Sequence, residues 1–126
     1  MQLLVVKRSG NREPYSKEKL RAGITRACAK TMVTAEQVDD LVDSVENELA
    51  SLGKREVSAS FLGEMALSRL RKLNQVAYVR FASVYRQFQS VEDFIHELEI
   101  LREHDLVLAE PGISGITTSG IKDQEP

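Results

Sequence analysis

The chain has 126 residues, 42% hydrophobic and 29% charged, with 17 Lys and Arg against 19 Asp and Glu. That is the composition of one globular domain large enough to bury its own core, and it excludes an intrinsically disordered chain. No apolar run approaches the roughly 20 residues of a membrane helix, and one cysteine, Cys28, with two histidines, His96 and His104, excludes an internal disulfide and a Cys/His zinc set within the chain.

The opening Met1-Gln-Leu-Leu-Val-Val-Lys-Arg8 carries its charge after its apolar run, the reverse of a signal peptide, so a cytoplasmic chain is expected. Residues 3–8 predict a strand feeding a turn at Ser9-Gly10. Arg12-Glu-Pro-Tyr15 is short and carries a proline, which suits an edge strand returning beside the first. Ser16 then caps a helix with the one-sided stripe Leu20, Ile24, Ala27 and Cys28. Thr34-Ala-Glu-Gln37 is a capping box, followed by a second stripe of Val38, Leu41, Val42, Val45 and Leu49 that ends near Leu52-Gly53. Lys54 to Val57 suits a third strand added to the hairpin. Ser58 caps a helix with Leu62, Met65, Ala66 and Leu70, and Asn74 breaks it before a helix with Val76, Ala77, Phe81, Val84, Tyr85 and Phe88. Ser90-Val-Glu-Asp93 opens a last helix with Phe94, Ile95, Leu98 and Leu101 on its buried side. From Asp105 the period is lost, and Pro111 to Gly120 reads as a flexible tail. The expected fold is α+β, a small three-stranded sheet packed on a four- to five-helix bundle, with the domain over residues 1–104 and the tail over 105–126.

Few residues suit catalysis. Cys28 shares its stripe with Ile24 and Ala27, as a buried thiol would. His96 and His104 lie on a highly charged helix and read as solvated. Asp39, Asp40, Asp43, Glu46 and Glu48 alternate with the second stripe and form its wet face. Neither a Gly-x-x-x-x-Gly-Lys loop nor a Gly-x-Gly-x-x-Gly fingerprint occurs, so no phosphate loop of a familiar kind is present. An enzyme is not expected.

The net charge of −2 conceals four blocks. Residues 1–30 hold eight basic and two acidic groups, 31–66 two and eight, 67–90 five and none, and 91–126 two and nine. In the first, Lys7 and Arg8 end a strand, and a helix N-terminus with Lys17 and Lys19 arrives within ten residues. Cations around exposed helix N–H groups make an anion site. Because neighbouring strand residues point to opposite faces, Lys7 and Arg8 meet one ligand only if the chain bends at Ser9-Gly10; the alternative is a basic hairpin edge that discourages aggregation. In the third, Ala77, Phe81, Val84 and Tyr85 share a stripe with Arg80 beside it. That pattern fits a packed core helix with one Tyr at its margin, or rings and guanidinium groups that stack on a base or form an interface.

Val5-Val-Lys-Arg-Ser-Gly10, Glu13-Pro-Tyr15 and Lys19-Leu20 resemble the opening of the ATP-cone, the regulatory nucleotide-binding domain of ribonucleotide reductases and of their repressor. Glu56-Val-Ser58, Gly63-Glu64 and the run Val76-Ala-Tyr-Val-Arg-Phe-Ala-Ser-Val-Tyr-Arg86 resemble the NrdR-type repressors of bacterial ribonucleotide reductase genes. The resemblance covers residues 3–103 and agrees with the element order above. It implies that Lys7, Arg8 and Lys19 hold a triphosphate, that Val5 and Leu20 lie near the adenine and sugar, and that Glu13 and Tyr85 belong to the same pocket. ATP and dATP are the implied regulatory ligands, with no metal site in the chain.

Ser9 stands where many ATP-cones have Asp, a change also found among the repressors. Repressors of this family begin with a zinc ribbon of two Cys-x-x-Cys pairs and an arginine-rich stretch that binds DNA. The 126 residues contain neither, so a truncated product or a member without its ribbon is expected, with zinc and operator DNA belonging to the missing ribbon. The implied mechanism is that ATP or dATP changes how cones self-associate, and that association sets DNA binding; no membrane partner is expected. Two alternatives are a detached allosteric cone of a ribonucleotide reductase and an interaction module that binds no nucleotide.

Overall fold

In the computed structural model, which describes residues 2–109, three short strands and five helices follow in the order ββααβααα. The chain divides into two units, one ending at Phe88 and one beginning at Gln89. The first holds β1 (Leu4–Val6), β2 (Arg12–Pro14), α1 (Lys17–Ala27), α2 (Ala35–Leu52), β3 (Glu56–Ser58), α3 (Ala59–Leu73) and α4 (Gln75–Tyr85). The second holds α5 (Val91–Ala109), which runs past the expected domain end at residue 104; the remainder of the expected tail lies outside the described residues.

The sheet order is β2-β1-β3, with β2 antiparallel and β3 parallel to β1. Val5 is paired with Glu13 on one side and Val57 on the other. Residues directly opposite share a face, so the Val5 and Glu13 side chains leave the sheet together. Arg12 Nε donates to Glu56 Oε2 at 2.6 Å, tying the two edge strands across β1.

Under the sheet, α1 packs on α2 and α4, and α3 packs on the same two. Most of the stripes expected from sequence supply the core: Ile24 and Ala27 of α1 with its C-cap Cys28, Val38, Leu41, Val42, Val45 and Leu49 of α2, and Met65, Ala66 and Leu70 of α3 are buried, Leu67 joins them, and Leu20 and Leu62 are only half-buried. Each large aliphatic side chain removed from water there contributes about 1.5–3 kcal/mol. The caps also fall where expected. Ser16 Oγ accepts from Lys19 N–H, Thr34 and Gln37 form the reciprocal capping box, and Ser58 Oγ accepts from Phe61 N–H. Asn74 ends α3 through its N–H to Leu70 O and starts α4 by accepting from Ala77 N–H at 2.9 Å. Ser90 Oγ accepts from Asp93 N–H at the start of α5.

Two faces differ from expectation. The buried face of α4 is Ala77, Tyr78 and Ala82, whereas Val76 and Val84 are exposed, Val84 at 78%. Small alanines let α4 approach its neighbours closely, and that rotates Val84 outward. On α5, Phe94, Ile95 and Leu98 are exposed rather than covered, because acidic residues are interleaved with the apolar ones around that helix and leave no wholly apolar side.

Candidate functional site

β1 ends at Val6, so Lys7 and Arg8 lie in the turn and not in the strand. Lys7 N–H donates to Asn11 O and Gly10 N–H to Lys7 O, both at 2.8 Å. Gly10 closes this loop at φ +92, a conformation that a side chain opposes. Strand alternation therefore stops before the two cations, which meets the condition set by the sequence. Lys7 Nζ reaches to 3.8 Å from Glu13 Oε1. Arg8 lies over the Tyr85 ring at 5.8 Å from its centroid and donates from Nη2 to Tyr85 O at 3.3 Å.

Beside this turn opens a cavity of about 230 Å³. Val5 and Glu13 line it from the sheet, Ser16, Lys19, Leu20 and Gly23 from α1, Leu62 and Gly63 from α3, and Phe81 and Tyr85 from α4. Its walls are apolar, and its charge lies at one rim. There Glu13 Oε1 sits between two ammonium groups, 3.6 Å from Lys19 Nζ and 3.8 Å from Lys7 Nζ. These are solvent-washed pairs, worth about 0–1 kcal/mol each.

Of the seven residues singled out from sequence, Val5, Glu13, Lys19, Leu20 and Tyr85 line this cavity, Lys7 is joined to it through Glu13, and Arg8 through Tyr85. Lys17 goes elsewhere. Its Nζ lies 3.4 Å from Asp43 and 3.7 Å from Glu46, clamping α1 to α2. Arg80, a candidate for stacking, donates from Nη1 to Ala27 O and Ala29 O at 3.2 and 2.5 Å, where it satisfies carbonyls at the end of α1. The sequence reading missed Leu62 and Phe81 as pocket walls. Their place on apolar stripes was visible, but not that their faces border a cavity.

A larger cavity of about 380 Å³ lies around Leu3, Tyr15, Glu46, Leu49, Gly53 and Lys54. Lys54 is the one cation lining it, and its one carboxylate, Glu46, already accepts from Tyr15 Oη at 2.8 Å and faces Lys17 Nζ at 3.7 Å. Burial first, and the Glu46 carboxylate second, push the Tyr15 phenol well above its ordinary pKa. Burial also pushes the Cys28 thiol up, against a smaller opposite pull from Arg80. Among the described residues no cluster of His, Cys, Asp and Glu is arranged to hold a metal ion, and no helix is long and apolar enough to cross a membrane.

An apolar cleft lined by Lys19, with Lys7 and Arg8 held against its Glu13 and Tyr85 walls, suits a ligand with a flat apolar part and a polyanionic tail. Residues 3–91 match the family model described as the ATP cone domain. A protein named transcriptional repressor NrdR from Synechococcus sp. (strain JA-2-3B'a(2-13)) is 44% identical over 128 residues, a match covering 98% of this chain and 71% of the relative. Proteins of the same name from Listeria welshimeri and Thermosynechococcus vestitus are 48% and 50% identical over 101 residues, covering 80% of this chain and 66% and 62% of the relatives.

Proposed function

Because the chain belongs to the ATP-cone family, in the branch of the NrdR transcriptional repressors, we propose that it is a regulatory domain that senses ATP and dATP to control a cytoplasmic repressor. The observation that supports this reading is an apolar cavity lined by Lys19, two of whose other lining residues, Glu13 and Tyr85, hold Lys7 and Arg8. The cavity of about 230 Å³ is below the ~300–1,000 Å³ usual for whole ligands. The base and sugar enter it between Val5, Leu20 and Phe81, and the triphosphate stays outside over the turn. There it takes Lys7 and Lys19 from Glu13 and draws Arg8 from Tyr85. A triphosphate carries several negative charges against the single charge of Glu13, so its contacts with the three cations outweigh the weak, solvent-washed pairs that they replace.

Nucleotide binding then alters self-association of cones, and the assembly formed sets whether attached DNA-binding elements grip operator sites. Abundant dATP would thereby repress genes of deoxynucleotide synthesis. The residues need do no chemistry on the nucleotide: they bind it and release it. Calorimetric titration of dATP into the wild type, Lys7→Ala and Lys19→Ala tests the site. The expected result is an affinity loss of about tenfold or more in each variant, as one lost charge-assisted contact implies; unchanged affinity in both would remove the site.

A further inference from the structure

α3 carries a glycine in its interior, where alanine ordinarily makes a stronger helix. Gly63 is buried, and a Cβ built on it would fall on the Tyr85 ring, against Cε1 and Cζ and within 2.6 Å of Cδ1. The ring is not the free end of a long side chain that could step aside. Its hydroxyl donates to Ser60 O at 2.6 Å, Phe81 stacks on it with centroids 6.3 Å apart and planes 18° apart, and the Arg8 guanidinium covers it. The bare Cα at position 63 is thus the seat of the ring. Tyr85 and Phe81 also border both the cavity beside the turn and a second one, of about 340 Å³, reaching Arg26 and Val84.

We propose that Gly63 is a positioning residue for ligand recognition. By withholding a side chain it lets Tyr85 lie against α3, where the ring walls the cavity that takes the base and sugar. The proposal rests on the nucleotide reading of that cavity. A methyl group at 63 forces the ring off its seat, breaks the bond to Ser60 and leaves that wall open. If Gly63 served only to bring α3 and α4 together, the cost of a methyl group would appear in stability and not follow the fate of the ring.

The test compares dATP affinity by calorimetry, with thermal melts, in the wild type, Gly63→Ala, Tyr85→Ala and the double variant. Gly63→Ala and Tyr85→Ala are each expected to lose at least tenfold in affinity. The double variant should bind within twofold of Tyr85→Ala and melt at a higher Tm, because alanine strengthens the helix once the ring is gone. Gly63→Ala binding within twofold of the wild type would overturn the proposal, as would a double variant that loses the product of the two single effects. Should Gly63→Ala fail to fold, recovery of folding in the double variant with the affinity of Tyr85→Ala supports the seat, and a weaker or unfolded double variant overturns it. A wild type that binds no dATP removes the nucleotide reading itself and this proposal with it; a wild type that binds, beside an indifferent Gly63→Ala, removes the positioning role alone.

Discussion

At the scale of single residues, the site is a matter of which cation finds which partner. Lys17 and Lys19 look alike in the sequence, both in the first turn of α1, but residues two apart on a helix face different ways. One therefore clamps α2 and the other reaches Glu13. Charge blocks in the sequence located the cations, but only packing tells them apart. Gly63 was legible as part of a motif and not as a seat, because the close approach of Tyr85 depends on how α3 and α4 pack. Glu13 acts as an internal counter-ion for Lys7 and Lys19, so Glu13→Gln should tighten binding of inorganic tripolyphosphate by about two- to tenfold, as expected for removing like charge from an anion site. Calorimetry at low salt reads this directly; weaker binding would show that Glu13 organises the lysines rather than occupying their ligand's place. The buried Cys28, its thiol pushed up by burial, should react with a thiol reagent only slowly in the native protein and rapidly in denaturant.

Among the elements, local signals were read well. Ser16, Thr34 with Gln37, and Ser58 cap the helices that their spacing predicted, and Asn74, expected only as a break, caps α4, because a cap is settled by neighbours in sequence. Thr34→Ala removes one side of a capping box and should cost about 1 kcal/mol in urea unfolding. Helix faces were less legible. The stripe of α4 pointed to Ala77, which is buried, and to Val84, which is not; Tyr78 and Ala82 complete the covered face. A periodic pattern gives the angular spacing of apolar residues, while the shape of the partner selects the face. The sheet shows one further dependence on distant residues, since Tyr15 follows β2 and bonds to Glu46 on α2. The raised phenol pKa has a definite consequence: the folded state holds this proton more firmly than the unfolded state, whose phenol titrates near pH 10. Stability from this contact is fully present below pH 10 and declines above it. Tyr15→Phe should lose about 1 kcal/mol at pH 8, and the gap to the wild type should narrow in urea midpoints measured at pH 11.

For the whole first unit, four helices that each touch two others hold the sheet, so the hairpin turn and the ends of α1 and α4 are brought to one place by a shared core. Leu70 is fully buried within it, and Leu70→Ala should cost about 2–5 kcal/mol while leaving residual dATP affinity intact in the folded fraction. The element order and the α+β class were legible because helix periods and turn residues recur strongly. The cavity was not, since its walls come from β1, β2, α1, α3 and α4, segments up to 80 residues apart in the chain. The proposed control of self-association belongs to this scale as well: it predicts different masses by light scattering with dATP and with ATP, and equal masses would confine the role of nucleotide to events within one chain. The most direct measurement of the central claim is a heteronuclear NMR titration with dATP, because the larger cavity at Gly53 and Lys54 is a built-in rival. The account predicts that the largest shifts fall on Lys7, Arg8, Gly10, Lys19, Gly23 and Tyr85; shifts centred instead on Leu3, Ala50, Gly53 and Lys54, or none at millimolar dATP, would contradict it.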